Sequence, residues 1–472
     1  MTRPKVRVES DFSARDRLRR LLLLIMPNQV GVRLLRRRLQ DNNERCSLEA
    51  TKFLMDTENL YPTKFFFLIP KFLEFSFALG ASDMPAIVME KLANATKKTR
   101  RRPQLRRLLS DQMQLEIERL DYRIATASSW KFTSLALSGF GYLRAGQSAR
   151  RKCIKAAIEE VSAGTASTRT RHLAISGLLE ARRFSEALVM INQEIASQGS
   201  DPQLKSYIQF LALVGATEDL SAFDKNPKIN FDSPPLFERV NSRSVALVAP
   251  GVIQPEYGLE IDSHEVVARV KYLGPQFSQS TTKVGERCDV NFLVDQLVET
   301  AILDRKHDPK SHAYLNNVNL IISRKYKYVS EDLPPIGPLT TFAPTVLTTA
   351  TSGTLAIFEL LCQSPKKIKL FGFNFYAERE QYNSALLGLY DSKKFIKQNG
   401  LRKNEFKFLS VRYGASIIAS TRTTHDYLSD FLFVKNLYEL SGLIDGTPEV
   451  LEILNLTADE YDMRLEEMLG DW

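Results

Sequence analysis

The chain has 472 residues, a formal net charge of +9, 44% hydrophobic residues and 25% charged ones. That length exceeds one ordinary core, so two domains, or three, are expected, and that composition excludes wholesale disorder. The positive excess points toward anionic partners and says nothing about fold.

The first segment, residues 1–44, is basic: Arg15, Arg17, Arg19, Arg20, Arg33, Arg36, Arg37 and Arg38 crowd it. Such a cluster suits nucleic acid, anionic lipid or polyanionic glycan, and serves equally as the solvated face of a helix. No aromatic residue is interleaved between Arg15 and Arg38, which argues against nucleic acid. The apolar run at residues 21–26 stops at Pro27. A bilayer span needs roughly 20 residues, and no small-residue cleavage site follows the run. The segment is therefore expected to be amphipathic and to lie on an anionic membrane surface. Cys46, Cys153, Cys288 and Cys362 stand far apart without a CxxC or Cys/His pattern. Neither zinc nor a disulfide framework is expected, and reducing cytoplasm is the expected compartment.

Residues 45–225 read as helical. LALSG begins at residue 135, LAISG at 173 and LALVG at 211, a spacing of 38 residues twice, with Gly139, Gly177 and Gly215 in register. Ala149 and Ala187 follow the first two glycines at a common offset. That length accommodates two helices and two turns, and small residues at fixed places let helices approach closely, so a helical-repeat array is expected. The unit HLAISGLLEARRFSEALVMINQEIA resembles a tetratricopeptide unit, with Phe184 and Ala187 at that family's second-helix aromatic and alanine positions. Residues 226–243, rich in Pro, Asn and Ser, read as a linker.

From residue 244 the pattern changes to short β-branched runs at 245–248, 266–270, 318–323 and 366–371, with helical stretches between several of them. This alternation predicts a mostly parallel sheet covered on both faces, with ligands at the carboxyl ends of the strands. Ala249, Pro250 and Gly251 form a tight turn after the first strand, at a place where a nucleotide could sit, although it is neither a GxGxxG nor a Walker loop. TTATSGT at 348–354 precedes the helical run LAIFELLC, which makes Ser352 or a neighbour an N-cap and turns free amides around Gly353 outward, as an anion site requires. His425 opens an amphipathic helix with Asp426 and Asp430 nearby, a placement open to a general base or to a capping residue. Residues 443–472 read as an acidic helical tail.

Three separated segments, in order, resemble the sialylmotifs of glycosyltransferase family 29. VALVAPG, YGLEIDSHEVVARVK and KVGERCDV are similar to the large motif, ATSGTLAIFELLCQSPKKIKLFGF to the small one, and His425 with Asp430 to the very short one. The TSG segment and IKLFGFNFY also resemble the bacterial sialyltransferases of family 42. The likeness spans about residues 240–440, with departures. Val245 stands at the position of the family's first motif cysteine, leaving Cys362 without its usual partner. A shorter loop around Pro250 replaces the glycine-rich one, Lys271 replaces an asparagine, and no HYYE-like motif precedes His425.

The resemblance implies a Rossmann-like α/β domain, a sialyltransferase-like variant of the GT-A type, over residues 244–442. It implies inverting transfer of sialic acid or Kdo from a CMP-activated donor to a glycan or glycolipid acceptor, in bacterial capsule or lipopolysaccharide synthesis at the inner face of the inner membrane. His425 would be the general base and Asp430 its supporting acid. Ala249, Pro250, Gly251, Lys271, Thr351, Ser352, Gly353 and Thr354 would bind the donor, and Asp262, Ser263, His264 and Arg269 would brace the sheet and the nucleotide loop. No metal cofactor is expected: the sequence has no DxD, and a single-phosphate leaving group carries less charge than a diphosphate. The helical repeats would hold the acceptor or a protein partner. The rival expectation is an inactive transferase-like domain on a tetratricopeptide-like scaffold, acting as an interaction protein.

Overall fold

The computed structural model describes residues 111, 113–115, 117–139, 142–199, 201–216, 234–274, 278–293, 318–323, 334–378 and 425–470, all within the unit Thr96–Trp472. The basic segment 1–44 and the helices expected before residue 111 lie outside them.

Five helices come first: α1 (Ala127–Gly139), α2 (Leu143–Ser162), α3 (Thr168–Glu180), α4 (Phe184–Gln198) and α5 (Pro202–Leu213). Side-chain caps start two of them, Ser167 accepting from the amide of Thr170 and Asp201 from that of Leu204. The repeat maps onto alternate helices, with LALSG in α1, LAISG in α3 and LALVG running out of the end of α5. Its glycines do different work. A Cβ on Gly177 would lie 2.5 Å from Ile154 Cγ2 of α2, so glycine sets the α2–α3 approach, whereas Gly215 has φ +72° and turns the chain after α5. Helix pairs at the repeat spacing are thus present over the described residues.

The remainder is a seven-stranded sheet, all parallel. Its strands are β1 (Ser244–Val248), β2 (Val266–Val270), β3 (Cys288–Phe292), β4 (Val318–Ser323), β5 (Ile336–Pro338), β6 (Lys367–Phe371) and β7 (Ile444–Gly446), in the order β5-β4-β3-β2-β1-β6-β7. Every residue of β2 is buried, as is usual for a parallel strand covered on both faces. The expected α/β architecture is borne out, and the four expected strands match β1, β2, β4 and β6 closely.

Three expected boundaries fall differently. Within the stretch read as linker, α6 (Pro234–Val240) forms, because proline is well placed at a helix start, and it buries Leu236 and Val240 in the core. The stretch read as an acidic tail supplies β7, which pairs with β6, and then α11 (Pro448–Leu454) and α12 (Ala458–Gly470), whose Val450, Ile453, Leu454, Tyr461 and Leu465 are buried. Finally, the described parts of the helical region and the sheet share one core. One apolar cluster runs from Ile175, Leu178 and Phe210 through α10 (Tyr427–Ser441) to Val245, Leu247 and Leu370 on one sheet face. A smaller cluster with Ala246, Val248, Ile261 and Phe371, topped by α7 (Gly258–Ser263) and α8 (Thr281–Val284), covers the other face. Phe433 of α10 joins the layers, stacking on Phe210 at 5.2 Å and meeting Phe358 edge-on at 5.1 Å.

Overpacking α2 against α3 is the direct test of the repeat packing. Gly177→Ala should lower stability by about 1–3 kcal/mol, read as a shift of the urea midpoint at unchanged slope.

Candidate functional site

In an open parallel sheet the strand order reverses where consecutive crossovers leave in opposite directions, and the carboxyl ends splay there into a crevice. Here the reversal lies between β1 and β6. A cleft opens at that point. Its walls are Ala249, Pro250 and Gly251 after β1, Val270 and Lys271 at the end of β2, Gly372, Phe373, Asn374, Phe375 and Tyr376 after β6, and residues 351–354 at the start of α9 (Ser352–Leu361), with Asp430 behind them. All eight residues expected to bind the donor therefore line one cleft.

Close backbone approach shapes it. A Cβ on Gly251 would collide with the carbonyl oxygen of Gly372 across the cleft, and one on Gly353 would come within 2.9 Å of Phe373 Cε1. The N-cap of α9 is Thr351, whose side chain accepts from the amide of Thr354 at 3.4 Å, so Ser352 and Gly353 occupy the first helical turn. Their amides have no partner within the helix, which is the usual origin of anion affinity at a helix start. Three non-glycine wall residues have left-handed backbone, Lys271 (φ 55°), Phe375 (φ 45°) and Tyr376 (φ 62°). Such conformations cost on the order of 1–3 kcal/mol each and gather at sites where side-chain direction matters more than stability.

His425 stands just before α10. Its Nδ1 lies 2.9 Å from the carbonyl oxygen of Thr349. A carbonyl only accepts, so Nδ1 carries the proton and Nε2 of the neutral ring keeps its lone pair, the state of a general base. His425 joins the cleft through aromatic rings: it stacks toward Tyr427 at 6.3 Å, and Tyr427 stacks on the wall residue Tyr376 at 4.0 Å.

Asp430, expected to support His425, bonds the backbone at the start of α9. Its carboxyl is wholly buried and accepts from the amide of Thr351 at 3.1 Å, with Thr354 as a second partner. These partners set it against the backbone that opens α9. Burial pushes its pKa up to about 8, against the lowering effect of those hydrogen bonds, so at neutral pH the carboxyl is mostly uncharged and does not repel an anion at α9.

The remaining expected residues sit elsewhere. Asp262 accepts from the amides of Glu286 at 2.8 Å and Arg287 at 3.1 Å, and Ser263 donates to the carbonyl of Glu260 at 2.7 Å. His264 Nδ1 lies 2.9 Å from the carbonyl oxygen of Glu260. This group lies at the amino edges of β2 and β3, opposite the cleft rather than beside a nucleotide loop. Arg269 is buried in β2 and donates to the carbonyls of Arg287 and Val284, both at 2.7 Å. It borders a smaller cleft that adjoins the first at Lys271.

The sequence reading omitted the wall formed by Gly372, Phe373, Asn374, Phe375 and Tyr376. The carboxyl-end rule applied to β6 would have found it, since these residues follow that strand as Pro250 follows β1. Among the described residues no group of three or more His, Cys, Asp or Glu could hold a metal ion, and no helix is long and apolar enough to cross a membrane. Cys153, Cys288 and Cys362 are buried free thiols. Comparison of the chain with protein-family models, curated proteins and solved structures gives no match.

Two outcomes follow from this geometry. Asp430, with a folded pKa of about 8 against an ordinary 3.8, stays protonated in the folded state while the unfolded chain ionises, so it withdraws stability as pH rises between those values. The stability advantage of Asp430→Asn over the unaltered chain should grow across that window and level off above it, in urea titrations at a series of pH values. Gly251→Ala, whose Cβ would collide with the Gly372 carbonyl oxygen, should weaken anion binding in the cleft at least about tenfold by calorimetry, since backbone at that wall cannot yield as a side chain would.

Proposed function

We propose that the chain is an inverting glycosyltransferase that moves a keto-acid sugar, sialic acid or Kdo, from its CMP-activated donor to a hydroxyl of a glycan acceptor. The observation that carries this reading is the convergence of the β1 turn, the TSG helix start and Lys271 in one switch-point cleft, with His425 joined to it in base-ready form. Each belongs to a segment that resembles a sialylmotif, and the motifs are far apart in sequence. On this reading the α/β part is a sialyltransferase-like variant of the GT-A architecture, and the helix pairs are a tetratricopeptide-like array that holds the acceptor or a partner.

In the proposed reaction, Nε2 of His425 accepts the proton of the acceptor hydroxyl. The freed oxygen forms a bond to the anomeric carbon from the face opposite the nucleotide, and the bond from that carbon to the phosphate oxygen breaks, its electron pair leaving with CMP. Charge that develops on the departing phosphate is met by the amides of Ser352 and Gly353 and by the Lys271 ammonium, which are ordered before the reaction begins. The neutral Asp430 keeps the loop in place without opposing that charge. The protein's place would be a bacterial inner leaflet, in capsule or lipopolysaccharide assembly, with residues 1–44 against anionic lipid.

The deciding experiment incubates the full chain with CMP-sialic acid or CMP-Kdo and candidate acceptors, with and without EDTA, and follows CMP. Release from one donor is expected, insensitive to EDTA. His425→Gln should lower kcat by about 10²–10⁴ while CMP still binds. No release from either donor, or full activity in His425→Gln, overturns the assignment.

A further inference from the structure

We infer that Arg150, which belongs to the helical layer, is a positioning residue for His425 and for the loop that leads into α9. Arg150 lies in the middle of α2 and is 2% exposed, yet its guanidinium spans three elements. Nη1 donates to Glu180 Oε1 at the end of α3 at 2.6 Å, and Nη2 also reaches that carboxylate. Nε donates to Asp426 Oδ2 at 3.1 Å, and Nη2 to Ser429 Oγ at 2.6 Å. Burial opposes the charge, but Asp426 and Glu180 outweigh it and hold the guanidinium above its ordinary pKa.

The two acceptors on α10 are themselves joined to the site. Asp426 Oδ2 accepts from the amide of Leu347 at 3.2 Å, Ser429 Oγ accepts from the amide of Val346 at 3.1 Å, and Asp426 caps α10 through the amide of Ser429. Asp426 is also the residue after His425, and Leu347 lies two residues before Thr349, whose carbonyl fixes the imidazole tautomer. A single guanidinium therefore holds both the backbone that carries His425 and the backbone that orients it. A second link runs in parallel: Arg182, at φ +59° in the α3–α4 turn, donates to Asn436 Oδ1 at 2.7 Å, and Asn436 Nδ2 donates to the carbonyl of Glu180 at 3.2 Å. An ion pair that served only to join two layers would not need its carboxylate and hydroxyl to accept backbone amides from the catalytic loop as well.

Only the kinetic readout of this inference rests on the glycosyl-transfer reading. The test labels the full chain with ¹⁵N-histidine, assigns His425 among the five histidines with His425→Gln, and reads the tautomer by NMR. The unaltered protein should show Nδ1 protonated and Nε2 bare. In Arg150→Met, the His425 signals should move toward a mixture of tautomers, and kcat should fall on the order of 10²-fold while donor KM changes less than about threefold, as displacement of a catalytic group predicts. Arg150→Lys should recover about a tenth of the lost rate, since an ammonium cannot span all three acceptors. If Arg150→Met does not fold, Arg150→Lys and Glu180→Gln supply the same readouts. A folded Arg150 variant with an unchanged His425 tautomer overturns the inference. Failure of the unaltered protein to release CMP overturns the glycosyl-transfer reading instead and leaves the NMR comparison to decide this one.

Discussion

The reversal of strand order at β1 is the constraint on which the rest of the structure depends. Because β2 to β5 extend to one side and β6 and β7 to the other, two connections diverge at one carboxyl edge, and no hydrogen-bonded neighbour can fill the space between them. The chain lines that space with a glycine that lets backbone approach backbone, a capped helix start, and a lysine with left-handed backbone. The polar requirements of the cleft are met from the helix side of the molecule, by Asp430 on Thr351 and by Thr349 on His425.

Burying charge so close to the cleft is expensive unless every group finds a partner, and the molecule solves this collectively. Arg150, Glu180, Asp426 and Ser429 satisfy one another and two loop amides in a single network. Asp430 takes the other route and gives up its charge. Asp426 is held by the Arg150 guanidinium and the Leu347 amide, and Asp430, one turn further along, by the Thr351 amide.

Much of this was legible in the sequence, for reasons that can be named. Strands β1, β2, β4 and β6 are nearly continuous apolar runs and declared themselves, as did the helix pairs through their recurring glycines. Strand β3 did not, because Asp289 and Asn291 break its apolar pattern in order to bond the backbone of neighbouring β2 residues and Tyr272. Strand β7 is three residues long, below what periodicity can register. The proline pair at 234 and 235 looked like a linker and proved to be a helix start. In the site, TTATSGT and the Pro250 turn could be placed because the hydroxyl-rich helix start and the strand-end turn are local signals. The role of Asp430 could not, because spacing to His425 says nothing about which neighbour a carboxyl faces once the helix is packed, and the partnership of Arg150 with Asp426 spans 276 residues.

That separation also governs when the cleft can exist. The β1 turn and Lys271 leave the ribosome long before α10, and α10 before the β7, α11 and α12 segments that bury it. Closing a loop of that size costs chain entropy and waits until α10 has been made. A nascent chain stalled ahead of residue 425 carries the helix pairs and most of the sheet, yet neither the imidazole of His425 nor the carboxyl of Asp430. The cleft is thus completed only once α10 has joined the strands, although six of the seven strands precede it in the chain.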